Sequence, residues 1–242
     1  GATLYYNRLG QRITAALSVP TAEGALYEVD TRLRPSGEQG PLAVSLDAFE
    51  RYQREQAWTW EHMALCRARV LHASPAPRAA LEAVVARVLQ APRDAEKLKA
   101  DVLDMRATMA RHKPGKGPLD AKLLRGGLVD VEFLTHYLQL REGASLPALH
   151  DPHLGQAVRA LADAGLVPAA LAEAHDALAR LLVATRLLAP DAAAPPPAAR
   201  QVLAQACGCG DWDGLIARFA AARATVAAAW QDIFGEPLET NP

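Results

Sequence analysis

The sequence has little of several features that define common protein classes. It holds only three cysteines, and an odd number of cysteines does not make a disulfide framework. Aromatic residues make up only 5% of the chain, and no apolar run approaches the roughly 20 residues that a membrane-spanning helix needs. The start shows no basic region followed by an apolar segment, so we expect no signal peptide. These absences predict a globular protein of the reducing cytoplasm.

The chain also lacks an excess of either charge. Its 26 lysines and arginines nearly balance 27 acidic residues, which leaves a net charge of -1. Nucleic acids are held by an excess of basic residues, so nucleic acid is not expected as a main partner. Half of the 242 residues are apolar, which is enough for a substantial core in one large domain or two small ones.

Several well-known site motifs are missing. Neither of the glycine-rich phosphate loops occurs, and there is no G-x-S-x-G nucleophile motif. Three pairs look like parts of metal sites: Cys207 with Cys209, His62 with Cys66, and Asp211 with Asp213. The first two pairs have no second half that would complete a four-ligand zinc site. The aspartate pair precedes an apolar periodic segment, and helix capping explains it more simply.

What stands out is the alternating segment 25–41. Its charged residues fall on one side of an extended chain and its apolar or neutral residues on the other: Glu28, Asp30, Arg32 and Arg34 against Tyr27, Val29, Thr31 and Leu33. This period of two predicts a strand, which Pro35 and Gly37 end. An aspartate among arginines suits metal and phosphate chemistry. The alternative is an ordinary solvated face with ion pairs.

The rest of the chain predicts helices. Their ranges are 3–18, 45–71 with Ser45 as N-cap, 75–92, 93–112, a helix after Gly126–Gly127, one from Asp151 closed by Gly165, 168–188, a short helix to Cys207, and 211–234. The buried stripe of 45–71 is predicted to be Phe49, Tyr52, Ala57, Trp60, Ala64, Ala68 and Leu71. Glu61 shares a face with apolar neighbours, so it is either partly buried or part of a surface ion-pair network. The proline-rich stretch 190–199 is predicted to be a linker or long loop.

The double glycine Gly126–Gly127 allows a sharp turn or a close backbone approach. Asp130 and Glu132 follow in the first turn of the next helix, where the helix dipole favours acidic side chains. A second interpretation groups these acids with Asp120, Lys122 and Arg125 as a polar cluster that faces a cleft. Both interpretations stay open at this level.

Three segments together resemble a known family: YEVDTRLRPSG at 27–37, AWTWEHMALCRARV at 57–70 and GGLVDVEF at 126–133. They occur in the order found in the glutamine synthetase adenylyltransferases, which attach AMP to glutamine synthetase and remove it. The resemblance covers roughly residues 3–190 and is closer to the C-terminal, adenylylating half of that family. It implies a mainly α fold, a helical bundle attached to the C-terminal remnant of an α/β, palm-like nucleotidyltransferase domain. We expect the chain to lack the N-terminal part of that domain.

The resemblance also implies a domain division and a set of partners. Residues 1–44 correspond to the nucleotidyltransferase remnant, 45–190 to the helical bundle and 191–242 to C-terminal helices and a tail. The implied partners are glutamine synthetase and the PII signal protein, with glutamine as an effector. Two other readings remain: a piece of the deadenylylating half, and a helical regulatory or docking module without a catalytic role.

The chemistry implied by the resemblance is transfer of AMP from ATP to a tyrosine, with three carboxylates holding two Mg²⁺ ions. The glycine-serine and D-x-D motif that carries the first two carboxylates is absent here, and Asp30 matches the third. Arg32 and Arg34 are candidates for phosphate contacts or for supporting Asp30. The further residues assigned to cofactor binding are Glu61, Lys122 and Asp130. Because one carboxylate cannot hold two divalent ions, we expect this chain alone to be inactive.

Overall fold

The structure is a computed structural model that describes residues 1–25, 27–189 and 195–238. The described residues are mainly helical, as predicted, and the chain divides into two compact units, Gly1–Leu89 and Gln90–Pro242. The domain boundaries implied by the family resemblance, at 44/45 and 190/191, remain predictions. None of the described helices is long and apolar enough to cross a membrane.

Ten α-helices lie in the described part of the chain. The first unit holds α1 (Ala2–Ser18), α2 (Leu46–Glu55), α3 (Thr59–Leu65) and α4 (Pro75–Leu89); the second holds α5 (Ala95–His112), α6 (Leu128–Glu142), α7 (Leu154–Asp163), α8 (Ala170–Leu188), α9 (Pro197–Ala206) and α10 (Trp212–Phe234). Two single turns of 3₁₀ helix, Gly37–Gln39 and Pro147–Leu149, interrupt the loops. Most of the predicted helices are therefore confirmed.

Side-chain caps explain where several helices begin. The Ser45 side chain accepts a hydrogen bond from the backbone N–H of Ala48, so the predicted N-cap of α2 is confirmed. Asp94 caps α5 through the N–H of Lys97 in the same way. Asp211 accepts from the N–H of Gly214 at 2.8 Å, so helix capping accounts for this aspartate. At these three helix starts the capping signal is local and lies within three residues of the group that it caps.

The single helix predicted over 45–71 is wrong, because α2 ends at Glu55 and α3 begins at Thr59. The interruption shifts the helical phase, so the predicted stripe is not the buried one. Leu71 is 82% exposed and Trp60 is 45% exposed. The buried side chains of this region are instead Gln53, Glu61, Met63, Leu65 and Cys66.

The predicted strand is also wrong. Residues 27–34 form no strand, and the only β-bridge among the described residues is the isolated pair Thr21–Gly24. A strand needs a neighbouring strand to pair its backbone groups, and the described chain offers none. Side chains take part of that role instead: Asp30 accepts from the N–H of Arg32, and Arg34 donates to the carbonyl of Thr31.

Helix α1 forms as predicted, but it buries none of its side chains. Most of its apolar side chains are exposed, with Tyr5 at 64% and Ile13 at 53%. The polar side of α1 is the one that is attached within its unit, since the Asn7 side chain exchanges two hydrogen bonds with the backbone of Ala43. The helical periodicity therefore predicts the helix correctly, but it does not predict which of its side chains are buried.

The second unit is built around α6, which is buried on nearly all sides. The two longest helices of the unit, α8 and α10, pack against each other, and both contact α6. An aromatic group of Tyr137, Trp230 and Phe234 joins α6 to α10, with ring centroids 4.8 and 4.3 Å apart along the group. Of the predicted linker 190–199, residues 190–194 lie outside the described part, and α9 begins at Pro197.

Candidate functional site

The first predicted site residue, Asp30, is paired with Arg32. The Asp30 carboxylate accepts from the backbone N–H of Arg32 at 2.9 Å, and the Arg32 guanidinium donates to both carboxylate oxygens, with Nη2 at 2.6 Å from Oδ2. Both side chains are more than half exposed. The hydrogen bonds from Arg32 lower the pKa of Asp30 to about 2, so the carboxylate is ionised at neutral pH.

Arg34, the second arginine predicted to contact phosphate, holds the loop that follows it. Residues 31–40, here called the 31–40 loop, surround the Arg34 guanidinium with backbone carbonyl groups. Nε donates to the carbonyl of Gly40 at 3.0 Å and Nη2 to the carbonyl of Glu38 at 3.1 Å. Nη1 donates to the carbonyl and the hydroxyl of Thr31. Every guanidinium nitrogen therefore serves the loop backbone.

Glu61 is buried, with 8% of its surface exposed, which supports the first of the two interpretations from sequence. Its Oε1 accepts from the Tyr52 hydroxyl at 2.9 Å, and its Oε2 accepts from the backbone N–H of Trp58 at 2.8 Å. These bonds join the end of α2 to the start of α3. Burial, together with the bond to Glu61, raises the pKa of Tyr52, which keeps the phenol protonated as a donor.

In the second unit, Asp130 of α6 is completely buried and accepts several hydrogen bonds. Its carboxylate accepts from Arg106 of α5, with Nε at 2.6 Å and Nη2 at 3.2 Å, and from the backbone N–H of Gly126 at 2.7 Å. Arg125 lies further away, with Nη1 at 3.8 Å. Arg106 itself is 2% exposed. This is a buried, two-pronged ion pair between helices that are close in space and 24 residues apart in sequence.

The double glycine makes the close approach that the sequence predicted. Gly126 has φ +77°, and a Cβ at this position would lie 2.6 Å from the carbonyl oxygen of Arg223 in α10. A Cβ on Gly127 would lie 2.7 Å from two carbonyl oxygens of its own loop. Arg223 closes the arrangement by donating from Nε to the carbonyl of Arg125 at 2.8 Å. Burial lowers the pKa of Arg223, and Asp130 opposes this change.

Asp120 and Lys122 belong to the loop before α6. The Asp120 carboxylate accepts from the backbone N–H groups of Lys116, Lys122 and Leu123, so it organises the loop. The Lys122 side chain is exposed. Of the predicted polar cluster, Asp130 and Arg125 lie close together, and Lys122 contacts Asp120 through its backbone N–H. A cluster that faces a cleft remains a prediction, since the Asp130 side chain is fully buried.

The described residues do not by themselves fit the two-metal centre that the family resemblance implies. Within residues 1–25, 27–189 and 195–238, no three histidine, cysteine, aspartate or glutamate side chains are grouped so that they could hold a metal ion. Asp30 supplies one carboxylate, and Arg32 occupies both of its oxygens. Two divalent ions require several shared oxygen ligands. No chemical step through a metal follows from these residues alone.

Two important residues were missed at the sequence level. Arg106 continues the inward positions Leu98 and Val102 at intervals of four, and an arginine in an apolar stripe is a signal of a buried partner. Tyr52 was expected in the core, but its hydroxyl as the donor to Glu61 was not predicted. No local pattern connects Tyr52 with Glu61, because the chain turns between their helices.

Comparisons with known proteins agree with the resemblance of the three segments. The family profile described as "Glutamate-ammonia ligase adenylyltransferase" matches residues 1–84. Three curated relatives carry the name "Bifunctional glutamine synthetase adenylyltransferase/adenylyl-removing enzyme". The protein of Caulobacter vibrioides is 44% identical over 96% of this chain and 24% of its own length. The protein of Bordetella bronchiseptica is 42% identical over 94% of this chain and 23% of its own length.

The third relative, from Mesorhizobium japonicum, is 55% identical over 54% of this chain and 13% of its own length. The chain thus spans about a quarter of the length of the curated relatives that it matches along nearly all of its residues. The alignment covers both compact units, so the likeness is not confined to one motif. The chain belongs to the glutamate-ammonia ligase adenylyltransferase family.

Proposed function

We propose that this chain is part of an enzyme that transfers AMP from ATP to a tyrosine of glutamine synthetase and, in the longer protein, removes it. The observation that carries the proposal is the 44% identity to a relative of that name across 96% of the chain. Such similarity over both units supports the same fold and the same place in the longer enzyme. The chain would contribute to the reaction and would not perform it alone.

Within the longer protein, residues 1–44 would complete a palm-like nucleotidyltransferase domain of the adenylylating half. In that setting Asp30 would be the third carboxylate of a Mg²⁺ site for ATP, beside two carboxylates from another part of the polypeptide. Because Arg32 occupies both oxygens of Asp30, it would have to leave that position first. Arg32 is exposed, so its guanidinium has room to turn towards a phosphate.

The other residues assigned to cofactor binding differ in their exposure to solvent, which suggests different roles for them. Lys122 is exposed and suits a direct contact with phosphate. Glu61 and Asp130 are buried and already paired, and these contacts support an indirect role in holding the cofactor-binding surfaces. The helices would contact protein partners, for which we propose glutamine synthetase and the PII signal protein, with glutamine as an effector. These partners imply a cytoplasmic enzyme.

The decisive experiment is the substitution Asp30→Asn in the complete protein. If Asp30 holds a metal ion, AMP transfer to glutamine synthetase should fall by about 100-fold or more, since metal catalysis supplies several kcal/mol. Asp163→Asn, on an exposed residue of α7, is the matched control and should retain activity. Unchanged turnover of the Asp30 variant would refute its assignment as a metal ligand.

A second candidate is a helical regulatory or docking module with no catalytic role. It is favoured by the helical fold and by the lack of a metal-binding group among the described residues. Under this alternative, Asp30→Asn would leave AMP transfer unchanged, while deletion of this segment would alter its regulation. The relatives are named for both transfer and removal, so the deadenylylating alternative requires activity to be measured in both directions on the intact half.

A further inference from the structure

We propose that Arg34, Tyr52 and Glu61 are positioning residues that set the conformation of the 31–40 loop and thereby the orientation of Asp30. This inference rests on the proposed function for its catalytic consequence. It replaces direct phosphate or cofactor contact by Arg34 and Glu61 with an indirect role. All the contacts that carry it lie within the first compact unit.

The first step concerns the shape of the loop. Ser36 has φ +63°, a left-handed conformation that non-glycine residues adopt at a cost. A Cβ on Gly40 would lie 1.9 Å from the carbonyl oxygen of Pro35, so the loop closes tightly on itself. Such a conformation persists only when surrounding contacts hold it. The Arg34 guanidinium supplies them through its bonds to the backbone of Thr31, Glu38 and Gly40.

The second step fastens this loop to the helices. The Tyr52 hydroxyl of α2 donates to Glu61 Oε1 at 2.9 Å. Burial raises the pKa of Tyr52, and the backbone of Ser36 opposes this change, which makes the middle of the loop a neighbour of the same hydroxyl. Glu61 Oε2 in turn accepts from the N–H of Trp58 at 2.8 Å. The carboxylate is buried, so losing one of its donors would leave one of its oxygens without that hydrogen bond and away from water. The network therefore connects the middle of the loop to the junction of α2 and α3.

The third step reaches Asp30. Thr31, which Arg34 binds through both its carbonyl and its hydroxyl, is the next residue in the chain after Asp30. The Arg32 backbone N–H that bonds to the Asp30 carboxylate lies in the same loop. A change in the loop therefore reorients both the aspartate and its partner. A lysine at position 34 keeps the charge but cannot reach three separate backbone sites with one nitrogen.

The first test uses this chain and needs no activity. Arg34→Lys, Tyr52→Phe and Glu61→Gln should each speed amide hydrogen exchange at Gly37 and Gly40 by about tenfold, because the loop loses a supporting hydrogen bond. The same variants should shift the carboxyl carbon resonance of Asp30 in an NMR spectrum. The matched controls on exposed residues, Arg12→Lys, Tyr5→Phe and Glu55→Gln, should change neither. Exchange at Val84, a buried residue of α4 in the same unit, monitors the folding of that unit.

The second test uses the complete protein. A positioning role predicts that Arg34→Lys lowers kcat for AMP transfer by about tenfold or more and leaves the KM for ATP nearly unchanged, since a misplaced group slows the reaction without weakening binding. A raised KM with unchanged kcat would instead mean phosphate contact and would overturn the inference. Unchanged loop exchange and an unchanged Asp30 resonance would also overturn it. Failure of the wild-type complete protein to transfer AMP would refute the proposed function and leave the loop measurements to decide the positioning.

Discussion

Two aspartate–arginine pairs show how burial changes the contribution of the same contact to stability. Asp30 and Arg32 are bonded through both carboxylate oxygens, yet both side chains are more than half exposed. Asp130 and Arg106 have similar geometry with almost no exposed surface. Water screens the first pair, so it contributes little to stability and can be exchanged for another ligand. The second pair cannot be broken without leaving a charge in the core.

The exposed pair gives a prediction about pH. Because the pKa of Asp30 in the folded chain, about 2, is below its ordinary value of 3.8, the interaction is fully present above 3.8 and is lost as the pH falls through 2. Arg32→Gln should move the NMR titration midpoint of Asp30 upward towards 3.8. The same substitution should leave the carboxyl resonance of Asp163 unchanged. A midpoint that stays near 2 in the variant would show that Arg32 is not its cause.

The buried pair gives a prediction about stability. Asp130→Asn should lower the free energy of unfolding by about 3–5 kcal/mol, because Arg106 would remain buried without its counter-charge. Urea unfolding followed by the fluorescence of the four tryptophans measures the change; Trp230, which is 3% exposed, lies in the same unit as the pair. Asp163→Asn, at an exposed position with no ion pair to another described residue, should change it by less than about 0.5 kcal/mol. Equal effects at the two positions would contradict this account.

At the scale of elements, the loop before α6 lies in close backbone contact with helix α10. Gly126 combines a positive φ with the backbone of Arg223 at the place where a Cβ would lie. Gly165 has a similar φ of +72°, but nothing lies within 4 Å of its Cβ position. Comparing an alanine substitution at each glycine therefore separates the free-energy cost of the backbone conformation from the cost of the close approach.

Gly165→Ala should destabilise the chain by about 1–2 kcal/mol, which is the usual cost of a left-handed residue with a Cβ. Gly126→Ala should cost about 1–3 kcal/mol more, because the methyl group forces α10 away from the loop. Thermal unfolding of both variants against the parent chain measures the difference. If the two substitutions cost the same, the contact with Arg223 contributes nothing beyond the backbone conformation.

At the scale of the whole molecule, the chain is a quarter of the length of its relatives and contains two compact units. It supplies one candidate metal-binding carboxylate and no group of three acidic or metal-binding side chains among the described residues. We therefore expect residues 1–242 alone to transfer no measurable AMP from ATP to glutamine synthetase. Incorporation of labelled AMP, with the complete protein as the positive control, tests this. Transfer by the chain alone would mean that these residues hold a complete active site.

Much of the secondary structure could be predicted because its causes are local. Ser45 and Asp211 cap helices through backbone groups three residues away, and Gly126 allows a turn through its own φ angle. Whether residues 27–34 form a strand could not be predicted from local causes. Its alternating pattern is equally compatible with an extended segment, and the choice depends on whether another strand lies beside it.

The amino-acid sequence by itself determined most of the helices, their caps, the family and the residues that could take part in chemistry, since these depend on neighbours within a few positions or on ordered segments. Only the tertiary structure decided which charges are buried and with whom. Asp130 meets Arg106 across 24 residues, and Glu61 meets Tyr52 across a break between helices. Such pairs form because a carboxylate removed from water requires nearby donors, and only the folded chain determines which donors are near.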